Sequence, residues 1–199
     1  NGIYGELFVS AMIACAAVTD SIEDIIFGGL AEIPETSRLF EAVMKILEGY
    51  KNGVTVDGCF DIIHSEYDEH TDHGWCHTIS NAMIVAMALL YGGGDYGKSI
   101  CLAVQTGFDT DCNGATVGSI LGMACGVEII DEKWRAPFHD MLATSIFGVD
   151  KQSIHKNGTP YDNHDFARFG FDKDGFNAYG FDRNGYDRQG YDRAGYNRA

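Results

Sequence analysis

Residues 1–150 carry apolar side chains at helical spacing, and no stretch alternates in the way a half-buried strand would. Such a chain buries its apolar faces by packing helix on helix. Leu7–Val18 is apolar nearly all round, which predicts a central buried helix. Ser21–Leu30 begins with a capping serine and with acids at Glu23 and Asp24. Pro34 opens a third helical stretch, in which Ser37–Tyr50 places Leu39, Val43, Ile46 and Leu47 on one face. Ile79–Tyr91 is another apolar helix, closed by Gly92-Gly93-Gly94, and Asp95–Gln105 and Gly114–Gly126 follow. The expected fold class is all-α, a compact multi-helix domain.

A chain of 199 residues that is 45% hydrophobic is large enough to bury a core of this kind. Its formal net charge is −15, and residues 1–160 hold 8 basic against 22 acidic groups. That surplus repels a phosphate backbone, so nucleic acid and anionic lipid surfaces are not expected partners. It also leaves carboxylates to hold a hard cation. The apolar runs fall short of the roughly 18–20 residues that span a bilayer, and no basic segment precedes Leu7–Val18 as a signal peptide would require. The cysteines at 15, 59, 76, 101, 112 and 125 are widely spaced and several lie in apolar runs. This usage predicts reduced, buried thiols in a cytoplasmic protein.

From residue 161 onward the chain runs in steps of five, with glycines at 170, 175, 180, 185, 190 and 195. Each of these glycines is followed by Phe or Tyr and then by Asp or Asn. The aspartate accepts local backbone bonds and the glycine tolerates positive φ, which predicts a string of turns or a β-spiral. The expected organisation is a helical domain over 1–150, a linker over 151–160 and a repeat tail over 161–199. With 6 basic and 7 acidic residues and aromatics interleaved with Arg183, Arg188, Arg193 and Arg198, the tail suits self-association into a homo-oligomer.

Residues 57–77 hold four histidines (His64, His70, His73, His77) and six acids, yet look irregular. A rigid metal site needs its ligands on fixed elements, so this stretch is expected to be a solvated acidic loop.

The sharpest local signal is Gly107-Phe108-Asp109-Thr110-Asp111-Cys112-Asn113-Gly114. Its Asp-x-Asp-x-Asn-Gly core matches the start of an EF-hand loop, but the twelfth position is Ile120 where a bidentate Glu is required. Two alternatives stay open. At a loop entering a helix, Asp109 and Asp111 can direct both carboxylates to one point, as a hard cation such as Mg²⁺, Mn²⁺ or Ca²⁺ demands. They can also serve simply as a helix cap and dipole partner. Downstream, Gly114, Gly118, Gly122 and Gly126 lie four residues apart, which predicts close approach by a neighbouring helix or ligand.

The segment from Gly107 through Gly118 resembles the C-terminal metal motif of the ADP-ribosylglycohydrolases, relatives of dinitrogenase-reductase-activating glycohydrolase. Asn1-Gly2-Ile3-Tyr4-Gly5-Glu6, His77-Thr78-Ile79-Ser80-Asn81-Ala82, and Glu132-Lys133-Trp134 with Pro137 are similar to the bacterial branch of that family. The resemblance covers about residues 1–149. It implies an all-α fold, a two-metal Mg²⁺ centre, and hydrolysis of the bond joining ADP-ribose to an acceptor. The implied partner is an ADP-ribosylated protein or a small ADP-ribose derivative. Carried over, Asp109 and Asp111 become metal ligands, Asn1-Gly2 a turn touching ADP-ribose, and His77 and Asn81 pocket residues. Cys112 stands where relatives often have a threonine ligand, and its soft sulfur suits Mg²⁺ poorly. The family's other metal motif, Thr/Ser-Asp-Asp, precedes the Asn-Gly turn, and nothing in 1–100 matches it. The expectation is therefore that residues upstream of Asn1 complete the metal centre. Otherwise the body is a catalytically idle scaffold with an assembling tail.

Overall fold

The computed structural model describes residues 1–71, 73–139, 141–143, 151–153, 182 and 186–191. The described residues fall into two units, 1–131 and 132–199.

The first unit is all-α, as the periodicity predicts. Its seven helices are α1 (Gly2–Ala16), α2 (Ile22–Ala31), α3 (Arg38–Lys51), α4 (Val56–Glu66), α5 (Thr78–Gly92), α6 (Tyr96–Gln105) and α7 (Thr110–Cys125). Side chains fix four of the starts: Ser21 accepts from Asp24 N–H, Ser37 from Phe40, Thr55 from Gly58 and Asp95 from Lys98. Each supplies an acceptor to a first-turn donor that has no partner inside the helix. Pro34 lies in the turn ahead of α3, whose first helical residue is Arg38.

The central helix is α5, not the first one. Residues 82–90 are buried without a break, and α5 packs against six neighbours: α1, α2, α3, α4, α6 and α7. In α1 only Gly5, Phe8, Met12 and Ala16 are buried, while Ile3 and Leu7 face outward. An all-round apolar pattern permits full burial but does not compel it. Which helix takes the centre depends on how many neighbours surround it. Gly29 lets α2 lie against α1, because a Cβ there would fall 2.8 Å from the Phe8 carbonyl oxygen.

The interval 57–77 also departs from expectation. Its first part is helix α4, which buries Cys59 and Ile63 and carries its acids on the exposed face. Polar and charged residues on that face masked a short apolar stripe. All six cysteines are free, but Cys76, Cys101 and Cys112 are exposed rather than buried.

The glycines of α7 divide by position. A Cβ on Gly114 would stand 3.4 Å from Val104 Cγ2, and one on Gly118 would stand 3.0 Å from the Tyr96 hydroxyl, so both admit α6. Gly122 faces open space, and Gly126, with φ of +78°, ends the helix.

The second unit contains α8 (Glu132–Arg135), a 3₁₀ turn (Ala136–Phe138) and the antiparallel strands β1 (Met141–Ala143) and β2 (Lys151–Ser153). Strands of three residues are too short to show alternation in a sequence. Most of the repeat tail over 161–199, and most of 151–160, lies outside the described residues. Where the tail is described, Asp182 N–H donates to the Tyr186 carbonyl at 2.7 Å, and Asp187 N–H donates to that of Tyr191 at 2.7 Å. The returning bonds run from Tyr186 N–H and Tyr191 N–H to the carboxylates of Asp182 and Asp187, at 3.0 and 2.8 Å.

Candidate functional site

The Asp-Thr-Asp segment forms the start of α7. Thr106 closes α6, Gly107 and Phe108 turn the chain with φ of +86° and +59°, and Asp109 occupies the N-cap. Positive φ is unremarkable for glycine but uncommon for a bulky residue such as Phe108. The side chain of Asp109 makes no capping bond, unlike those of Ser21, Ser37, Thr55 and Asp95. Its Oδ1 is buried and has no hydrogen-bond partner. Ligand atoms of Asp109, Asp111 and Cys112 all lie within 4.8 Å of one another, the one such three-residue group among the described residues.

These details bear on the two readings of the motif. A carboxylate whose role was to cap would spend its oxygens on the first-turn N–H groups. Asp109 instead keeps a buried acceptor unpaired beside a second carboxylate, an arrangement costly to hold without a cation or donor. The donor set is hard oxygen, which fits Mg²⁺ or Mn²⁺. The neighbouring Asp109 carboxylate, and then the charge of Asp111, pushes the Cys112 thiol pKa up. A protonated thiol is a poor metal ligand, because the thiolate is the form that binds.

The starts of α1 and α5 lie at the same end of the bundle. The side-chain amide of Asn113, in the first turn of α7, donates to Asn81 Oδ1 in the first turn of α5 at 2.9 Å. The Cα of Gly5, in the first turn of α1, faces the Thr78 side chain at the head of α5. Asn1 and Gly2 open α1 and are exposed. All three helices start without a side-chain cap, at Asn1, His77 and Asp109.

His77 sits in an aromatic cluster, its ring 5.1 Å from that of Tyr67 and 5.4 Å from that of His73. Its Nδ1 is buried without a hydrogen-bond partner. Burial, reinforced by the neighbouring His73 and Arg38, lowers its pKa below the usual 6.5. The imidazole is therefore neutral near physiological pH.

Of the residues the sequence points to, the structure places Asp109 and Asp111 together and ties Asn81 to the same helix start. It sets His77 one turn before Asn81. Asn1 and Gly2 reach this end through the packing of Gly5 on Thr78.

Three residues that sequence reasoning passes over also belong here: Asn113, Glu69 and His64. Asn113 is only 3% exposed, and its position in the motif was its one signal. Glu69 and His64 lie within the acidic stretch. They reach this loop through contacts spanning 39 and 42 residues of sequence.

A family model described as ADP-ribosylglycohydrolase matches residues 1–160. Searches of curated proteins and of solved structures give no match. The matched region takes in the helical bundle and every element of the site, so the chain belongs to the ADP-ribosylglycohydrolase family.

Proposed function

We propose that the full-length parent protein is a Mg²⁺-dependent hydrolase that removes ADP-ribose from a modified acceptor, either a protein side chain or a small ADP-ribose derivative. Membership of the family supports hydrolysis of ADP-ribose conjugates. The observation that carries the metal assignment is the buried, unpartnered Oδ1 of Asp109 beside Asp111.

In this reading Asp109 and Asp111 hold the cation, which when bound supplies charge neutralisation and orientation for ribose hydroxyls and a water. The Asn81–Asn113 hydrogen bond holds the α5 start beside the carboxylate pair. The uncapped starts of α1, α5 and α7 offer first-turn N–H groups to the diphosphate, which a helix N-terminus favours electrostatically. Asn1 and Gly2 contribute at the α1 start. His77 is a neutral pocket wall. No side chain is assigned as the general base.

Release of ADP-ribose from an ADP-ribosylated protein, measured with Mg²⁺ and with chelator, tests the reading. Loss of release with chelator and in Asp111→Asn is the expected result. Mg²⁺-independent release would overturn the metal assignment, and no release by the full-length parent protein would overturn the activity.

A second reading, an idle scaffold assembled through its tail into a homo-oligomer, draws support from the repeated bonding of Asp182 with Tyr186 and of Asp187 with Tyr191. Size-exclusion chromatography with and without residues 161–199 decides it, since an unchanged state of assembly removes the tail as an assembling element. The six free cysteines support a cytoplasmic setting.

A further inference from the structure

Phe108 holds an uncommon backbone conformation directly before Asp109, with φ of +59°. A residue with a side chain persists there only when its surroundings hold it. Three contacts do so. Glu69 Oε2 accepts the Phe108 N–H at 2.7 Å. His64 Nε2–H donates to the Thr106 carbonyl at 2.8 Å. The Phe108 ring is buried against the His64 imidazole, with centroids 5.0 Å apart. Glu69 also lies against Gly107, where a Cβ would stand 3.2 Å from its Oε2. The other oxygen, Oε1, is 3.6 Å from Nε2 of the exposed His70.

We infer that Glu69 is a positioning residue for the carboxylate pair. It stands just beyond α4 and, together with His64 within α4, clamps residues 106–108, so that Asp109 enters α7 with its carboxylate turned away from the helix cap and toward Asp111. The argument is geometric. The Thr106 carbonyl and the Phe108 N–H flank Gly107, and holding both leaves the intervening turn little freedom. A charge-assisted bond to a backbone N–H is among the stronger ways to pin a loop. The inference rests on the reading of Asp109 and Asp111 as metal ligands, and it adds a residue that touches neither the metal nor the substrate.

The test uses the whole protein with Mn²⁺ as the probe. Affinity is read by calorimetry, and hydrogen exchange of the segment 106–113 is followed by mass spectrometry without metal. Glu69→Ala deletes the acceptor, while Glu69→Gln retains a neutral oxygen at the same reach. Supporting groups around metal ligands typically change affinity by about 10–100-fold when removed. Glu69→Ala is therefore expected to weaken Mn²⁺ binding about 10-fold or more and to speed exchange over 106–113, with Glu69→Gln close to wild type. If Glu69→Ala fails to fold, Glu69→Asp, one methylene shorter, takes its place with the same expectation. Wild-type affinity and exchange in the acceptor-deleted variant overturn the inference. Absence of Mn²⁺ binding by the wild type, or undiminished binding in Asp111→Asn, overturns the metal reading instead. In that event exchange over 106–113 alone decides whether Glu69 clamps the loop.

Discussion

The side-chain amide of Asn113 donates to that of Asn81 over 2.9 Å, joining the fourth residue of α7 to the fourth residue of α5. The bond sets the register of two helix starts, one bearing Asp109 and Asp111 and the other His77. Substituting Asn113 by Ala leaves the Asn81 amide without this partner and opens a small void. The expected loss is about 1–3 kcal/mol of stability, read by denaturant unfolding. A double-mutant cycle with Asn81→Ala should show coupling, because the two side chains share one bond. Additive effects would mean that the bond contributes nothing.

Asp111 is exposed in the first turn of α7, where a carboxylate favours the helix dipole. Without metal, Asp111→Asn should therefore cost at most about 1 kcal/mol. With Mg²⁺ at about 100 times its dissociation constant, the wild-type protein should gain about 2.7 kcal/mol, and the variant should gain far less. Thermal melts over a Mg²⁺ series make the comparison. Equal gains in both proteins would place the cation elsewhere.

Two glycines should respond in opposite directions to alanine. At Gly29 a Cβ would meet Phe8 Cδ2 and Met12 Cγ at 2.7 Å and the Phe8 carbonyl oxygen at 2.8 Å. Backbone cannot yield as a side-chain end can, so Gly29→Ala should cost about 1–3 kcal/mol through overpacking. At Gly122 a Cβ meets nothing within 4 Å, and the residue lies inside α7. Gly122→Ala should stabilise the fold by about 0.5–1 kcal/mol through helix propensity alone. Chemical denaturation of the two variants side by side checks both signs.

Burial holds the His77 pKa below 6.5, with His73 and Arg38 adding to the effect. The unfolded chain thus takes up a proton at this residue more readily than the folded one. Stability from a neutral His77 is full above pH 6.5 and is lost as the pH falls from 6.5 toward the lowered folded value. His77→Asn, which cannot titrate, should flatten that part of the stability–pH curve. An unchanged slope below pH 6.5 would assign it to other groups.

Much of the bundle is legible in the chain because it rests on local physics. The caps at Ser21, Ser37 and Asp95 and the stripe of Leu39, Val43, Ile46 and Leu47 each follow from residues within a few positions of one another. The carboxylate pair was legible for the same reason, since Asp109 and Asp111 flank a single residue at a helix start. Two readings missed through the same dependence on local pattern. The helical apolar face of 56–66 was hidden by its acids, and α1 was given the central place that belongs to α5.

Local pattern was enough for the all-α class, for most of the helices, and for the pairing of Asp109 with Asp111 at a helix start. Tertiary structure alone decided which helix is surrounded on all sides, that Asp109 leaves a carboxylate oxygen buried rather than capping, and that Asn81 finds Asn113. It also decided that Glu69 reaches across 39 residues to the N–H of Phe108. The division has one physical cause. Helix propensity and capping act within a turn or two of the chain, whereas burial and pairing across helices depend on which faces meet once the bundle has closed.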